Sequence, residues 1–469
     1  MIMKYYLFFI LLISMPFITV LKVDAQQQLD SLKKLFPTTN TLEDKVYALS
    51  KIWSELNYNF VNIDQISFNL DSLYRSTLHK IVLTNNDIEF YDELQHFISS
   101  FNDGHTELLD RSYNWNDFMD YIPANIIEIN KKYYFSKIRK KSSLDSTFLG
   151  AEILKIDSLS IEDYLRNILF PLISASTEKG KYFIASKKMQ QGVKYSCFKG
   201  VARKLNGDIS PFFLKRDGET TRRIDDQYWG PKQNVRNNDF SLDWESNIAI
   251  LSITNFLSDN IKNKIDSVVK VINSNNTKGV IIDLRYNIGG NSDIANYLLK
   301  YLIKSEYYLS YGSQTRINNA YGRSQGNYRI EYSQFYNNVA YNTYPPERVK
   351  VDEYIKPINS PIILLIGKST FSACEDLLVN LLEMPNRPLF FGEETAGTTG
   401  APLLVSLPHN ALVRIATLRL LFPYSKSLFV NRGIIPDIEI CQSINDFINA
   451  SDIVMEKAID YINTLNERR

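Results

Sequence analysis

Cysteine is nearly absent, with three in 469 residues at Cys197, Cys374 and Cys441 and no C-x-x-C pair. That excludes a disulfide framework and a cysteine-built zinc site. Histidine is almost as scarce: His79, His96, His105 and His409 include no two at the spacing of H-E-x-x-H, which disfavours a zinc hydrolase. Net charge is missing as well. The 53 Lys+Arg against 52 Asp+Glu leave +1, with no basic stripe interleaved with aromatics, so nucleic acid is not an expected partner. Past the first 25 residues no run approaches ~18 consecutive apolar residues, so no membrane span is expected there.

What is present describes a globular protein of two or three domains, 44% hydrophobic and 22% charged. Residues 1–25 stand apart: Lys4, an apolar run over 5–20, then Val23-Asp24-Ala25. This has the layout of a signal peptide cleaved after Ala25, with no cysteine there for lipid attachment, and predicts a periplasmic or secreted protein.

Residues 26–110 carry a helical pattern, with Leu42, Val46, Leu49, Trp53 and Leu56 recurring behind Thr41 as N-cap and two further helices ending at Asn102-Asp103-Gly104. Residues 111–235 change to short alternating segments, Asn125-Ile126-Ile127-Glu128-Ile129 and Tyr133-Tyr134-Phe135, with a hairpin turn at 216–219. From 236 to 445 continuous apolar strands such as Val280-Ile281-Ile282 alternate with amphipathic helices, which predicts an α/β domain with a largely parallel sheet; a C-terminal helix over 446–469 follows. A Tyr/Asn-rich insert at 305–344 reads as edge packing or as a wall for substrate.

Three places in this chain carry chemistry. In Asp283-Leu284-Arg285-Tyr286-Asn287-Ile288-Gly289-Gly290 a buried strand runs into paired glycines and a helix start, where backbone N–H groups can approach a ligand or simply close a tight turn. In Ser369-Thr370-Phe371-Ser372-Ala373-Cys374-Glu375 a strand gives way to a helix. Ser372 there is either an N-cap, with Glu375 completing a capping box, or a nucleophile with the Ala373 N–H beside it. Asp103-Gly104-His105-Thr106 offers a histidine on a loop, able to serve as a base near neutral pH. His79, His96 and His409 suit structural roles, and Cys374 reads as a small buried helix residue. Asn275-Asn276-Thr277 matches a glycosylation sequon.

Taken in order, D-G-H-T, D-L-R-x-N-x-G-G, S-T-F-S-A-C-E, Gly392-Glu393-Glu394-Thr395-Ala396-Gly397 and Asn431-Arg432-Gly433-Ile434-Ile435-Pro436-Asp437 resemble the S41-type tail-specific, or C-terminal-processing, serine peptidases. The resemblance runs from the helical domain to about Ile440. It implies a multidomain α/β chain with a helical N-terminal domain and a crotonase-like ββα catalytic domain. The stretch Leu149-Gly150-Ala151-Glu152-Ile153-Leu154-Lys155-Ile156-Asp157 resembles the core of PDZ domains, implying a small β-rich PDZ-like domain between them.

The resemblance places the nucleophile at Ser372 and the oxyanion donors at Ala373 and the Gly289-Gly290 turn. In the Ser/Lys branch of the family a lysine stands in a T-x-G-K-G context, but this chain has Thr395-Ala396-Gly397-Thr398-Thr399-Gly400. His105 matches the histidine loop of the tricorn-like branch and is the expected base. A glutamate expected three residues before Gly433 is replaced by Val430, leaving Asp103, Asn431 or Glu393 to orient the base. The expectation is therefore an exported serine endopeptidase acting on polypeptides without a cofactor. The alternative is a weak or inactive relative that binds peptides or hydrophobic ligands. An ester or carbohydrate hydrolase lacks support, since no G-x-S-x-G elbow is present.

Overall fold

The computed structural model describes residues 38–112, 115–218, 227–231 and 239–467; the expected signal peptide and Glu219 of the expected hairpin turn lie outside the described residues. Among the described residues no helix is long and apolar enough to cross a membrane.

Thr41 opens helix α1 (Leu42–Asn59) with a capping box, its hydroxyl accepting the Asp44 N–H at 3.1 Å and the Asp44 carboxylate accepting the Thr41 N–H at 3.0 Å. Asn69 and Asn86 cap α2 (Leu70–Ile81) and α3 (Asp87–Ser99), their side chains accepting the Ser72 and Glu89 N–H groups. The apolar stripes named by the sequence face inward: Leu49, Ile52 and Leu56 meet Phe90, Leu94 and Phe97. Past α3 the chain turns at Asn102 (φ 49°), passes through Asp103-Gly104-His105 and enters strand β1 (Glu107–Asp110).

The middle region opens with a hairpin, β2 (Ala124–Ile129) and β3 (Lys132–Arg139), turned by Asn130 and Lys131 at φ 51° and 64°. Strands β4 (Glu152–Ile156), β5 (Cys197–Arg203) and β6 (Ile209–Lys215) extend the sheet antiparallel. Helix α4 (Glu178–Gln190) lies against β2, the Gln190 side chain donating to the Ile126 carbonyl at 3.1 Å. Ile126, Phe135, Ile153, Phe198 and Phe212 fill this second core.

The α/β region has a six-stranded sheet. Strand β7 (Phe240–Glu245) pairs antiparallel with β8 (Ile248–Ile253), which then runs parallel with β9 (Gly279–Asp283), β10 (Ile362–Ile366), β11 (Leu389–Gly392) and, last in the sheet, β14 (Ile438–Glu439). Leu251, Ile282, Leu364 and Phe390 stand in one row across it. That row packs under helices α5 (Asn260–Ser274), α6 (Ser292–Leu302) and α7 (Ala373–Leu382), while Ile281, Ile363 and Phe391 pack against α8 (Ile453–Glu467) on the other face. Both faces are covered, which is why the strands read as unbroken apolar runs.

The helical region and the α/β region are joined by a third sheet. Strands β12 (Pro402–Ser406) and β13 (Leu412–Ala416) add to β1 in the order β1-β13-β12, with Glu107 opposite Arg414. Val413 and Ile415 bury their side chains with Leu49, Ile52 and Phe97 in one core. The Tyr/Asn-rich insert reaches the same helices: Arg316 donates to the Phe60 carbonyl at 3.1 Å, Asn338 to the Asn57 carbonyl at 3.1 Å and the Tyr341 hydroxyl to Asp64 at 2.9 Å. It packs as a strap across the interface, while Tyr328 and Ile330 stay in solvent.

Candidate active site

Ser372 stands where β10 has ended and α7 begins, with φ 56° and ψ −127°, a left-handed value costly for a residue with a Cβ. Its hydroxyl makes no cap hydrogen bond to the helix. It lies instead 3.1 Å from His105 Nε2, across 267 positions of sequence. Glu375 does not close a capping box either. Its buried carboxylate accepts the N–H groups of Gly397 and Thr398 at 2.7 Å each and the Thr395 hydroxyl. Burial outweighs these donors and lifts the carboxyl to about 8. The loop so held gives its Thr398 carbonyl to the Ser372 N–H at 3.1 Å.

His105 is 2% exposed. Its N–H donates to Asp103 Oδ1 at 2.9 Å, and its ring stacks on Phe371 with centroids 4.6 Å apart and planes at 24°. Gly104 anchors the loop through its carbonyl, which accepts from Arg414 at 2.9 Å, and through its N–H, which donates to Ser176 Oγ at 3.1 Å. Ser176 Oγ in turn meets Thr398 Oγ1 at 2.8 Å, so the histidine loop and the serine helix share one hydrogen-bonded seam. A Cβ at Gly104 would lie 2.6 Å from that Thr398 oxygen. Burial, with the Arg414 guanidinium, depresses the imidazole to about 3, so the ring is a neutral acceptor at neutral pH. Burial raises the Asp103 carboxyl to about 6. Among the described residues His105 Nδ1 has no hydrogen-bond partner.

The glycine turn comes up against this pair. A Cβ on Gly289 (φ 87°) would stand 2.6 Å from Ser372 Cβ, and one on Gly290 (φ 137°) 2.5 Å from the Phe256 backbone, so neither position has room for a side chain. The buried Asn287 shapes the turn, taking the Gly289 N–H on Oδ1 at 2.9 Å and donating to the Ile253 carbonyl at 3.1 Å. That commits the Gly289 amide. No hydrogen bond among the described residues engages the N–H of Gly290 or of Ala373. Upstream in the same motif, Arg285 is a structural pin, paired with Asp283 at 2.8 Å and with Asp452 at 2.7 Å. Buried Asp376 accepts the Ser292 hydroxyl at 2.6 Å and so ties the helix after the turn to α7.

The other candidates stand elsewhere. Lys368 is enclosed between Glu128 and Glu393, 2.8 Å from each, which takes Glu393 away from His105. Asn431 is exposed. Cys374 is buried, and burial pushes its thiol well above the ordinary value. His409 meets Asp44 at 3.1 Å and His96 lies 3.9 Å from Glu93. Among the described residues no group of His, Cys, Asp or Glu could hold a metal ion. Sequence motifs named Ser372, His105, Ala373 and the glycines, but not Phe371, Ser176 or Thr398 as their supports.

Residues 247–440 match the family model of Peptidase family S41. That span is similar to an S41 peptidase domain. The matched span holds Ser372 and both glycines, with His105 lying before it. No curated protein matches the chain by sequence. Among solved structures, mature CPAF complexed with lactacystin superposes with a TM-score of 0.67 at 15% identity, over 90% of this chain and 97% of that one. A CPAF mutant gives 0.63 at 15% identity, over 87% and 94%. At such identities the likeness establishes the fold, and it extends well beyond the S41 domain on both sides.

Proposed function

We propose that this protein is an exported serine endopeptidase whose nucleophile is Ser372 and whose base is His105. The contact of 3.1 Å between Ser372 Oγ and His105 Nε2 carries the reading. As Oγ bonds to the carbonyl carbon of a peptide, its proton passes to Nε2, and the imidazolium then gives that proton to the departing amine nitrogen. The carbonyl oxygen, now negative, is received by the N–H groups of Ala373 and Gly290, which no hydrogen bond among the described residues engages, Ala373 at a helix start that favours negative charge. Gly289 serves this site by its lack of a side chain. Water then releases the acyl group by the same proton path. Export rests on the signal-peptide pattern of residues 1–25.

Labelling of the purified protein with a fluorophosphonate, located by mass spectrometry, tests this. Label on Ser372 that is absent from Ser372→Ala and strongly reduced in His105→Ala supports it. Cleavage retained by Ser372→Ala would sink it.

One observation favours a second reading, a relative that binds peptides with little or no turnover. The tautomer that accepts the serine proton carries its own hydrogen on Nδ1, and burying that N–H without an acceptor costs roughly 1–3 kcal/mol. Val430 stands where a glutamate was expected to help. This reading predicts peptide binding in calorimetry alongside an unlabelled Ser372.

A further inference from the structure

Among the described residues nothing hydrogen-bonds His105 Nδ1, which leaves packing to hold the far side of the ring. We propose that Phe371 is the positioning residue of the base: its ring face keeps Nε2 on the Ser372 hydroxyl and stabilises the imidazolium formed during turnover. This rests on the Ser/His reading above and deepens it.

Three observations converge on Phe371. First, its ring lies face to face with the imidazole, 4.6 Å between centroids and 24° between planes. An aromatic face attracts a cation, so the contact strengthens as Nε2 takes the proton. Second, the ring is itself enclosed. The Arg414 guanidinium sits 5.8 Å from its centroid, and Gly104 brings the loop backbone so near that an added Cβ would stand 3.4 Å from Phe371 Cε2. Third, its backbone is fixed by the oxyanion motif: the Phe371 N–H donates to the Asn287 carbonyl at 3.0 Å, and the Phe371 carbonyl would lie 2.7 Å from a Cβ at Gly289.

Phe371 and Ser372 are consecutive, yet both side chains reach the same imidazole. The left-handed backbone at Ser372 accompanies that arrangement. One peptide segment thus sets both the nucleophile and the face that aims its base. The Arg414 charge works against an imidazolium, which gives the aromatic face added weight in the protonated state.

The test compares Phe371→Leu, which keeps apolar bulk and loses the face, with Phe371→Tyr, which keeps the face, both in the full chain. The Leu variant should label at Ser372 roughly ten- to a hundredfold more slowly, the scale of a misplaced reacting group, and the Tyr variant should recover most of the rate. Equal losses in both variants, or an undiminished rate in Leu, overturn the proposal. The His105 ring protons supply a second readout by NMR. They should be shielded by the Phe371 ring current in the unaltered protein and lose that shielding in Phe371→Leu. If the unaltered protein does not label at all, the Ser/His reading fails, while the NMR comparison still decides whether Phe371 orients the ring.

Discussion

Glu375 accepts the Thr398 N–H at 2.7 Å and, with its bonds to Gly397 and Thr395, holds the loop whose carbonyl receives the Ser372 N–H. A carboxyl lifted to about 8 by burial holds a proton in the folded chain that the unfolded chain releases near 4.5. Between those values the folded state binds more protons, so its stability falls as pH rises through the window. Asp103 and Asp376, each lifted to about 6, act in the same direction but are spent above that pH. Thermal melts of the unaltered protein should therefore drop from pH 6 to 8, and Glu375→Gln should flatten that slope. An unchanged slope would show that the carboxyl is ionised throughout.

The depressed His105 fixes a different limb. An imidazole with a pKa of about 3 stays deprotonated far below neutrality, so Ser372 labelling should hold nearly level from pH 7 down to pH 5. In an ordinary Ser/His pair the rate bends near 6.5. A bend at that value would mean that the ring is better hydrated than its burial implies, or gains an acceptor at Nδ1.

Lys368 joins the region of β2 to the strand-helix loop of the site through Glu128, and both side chains are nearly sealed from water, at 10% and 3% exposed. Replacing Lys368 by Met leaves a buried carboxylate without its cation, a change that costs about 3–5 kcal/mol. The variant should melt early yet keep Ser372 reactive per folded molecule. A stable variant with a dead serine would instead show that this ion pair shapes the site rather than the fold.

Asp64 collects the Tyr341 hydroxyl at 2.9 Å and the Arg419 guanidinium at 2.7 Å, binding the insert to the helical region. Asp64→Ala should raise amide exchange along 312–316 and 341–344 and slow labelling at Ser372, because the histidine loop belongs to the region the strap secures. Faster exchange without slower labelling would separate the strap from the site.

Much of this was readable beforehand where one rule governs a whole segment. Ile261, Ile265, Val269 and Ile272 face one way on α5 because burial of one stripe is what makes that helix, and Val280-Ile281-Ile282 is apolar throughout because β9 is covered on both sides. Ser372 and His105, which the order of their motifs singled out, stand 3.1 Å apart. Pairings between distant elements were not readable: Lys368 with Glu128 and Arg419 with Asp64 carry no periodicity. Glu375 misled for a related reason. Its spacing from Ser372 is that of a capping box, but three donors from the 395–398 loop outcompete the single helix-end N–H. Phe371 looked like filler inside a motif because stacking depends on where a ring faces.

The pairing of β1 with β13 sets Glu107 beside Arg414, and so bears on the order in which a ribosome makes the chain. When Ser372 has been synthesised, the strand that locks the histidine loop has not. Neither has Thr398, which links that loop to the serine. A nascent chain thus carries both Ser372 and His105 for tens of residues without the scaffold that brings them together. On the proposed mechanism the serine stays unarmed until residue 416 has been made, and truncations short of it should not label at Ser372 however well their earlier parts fold.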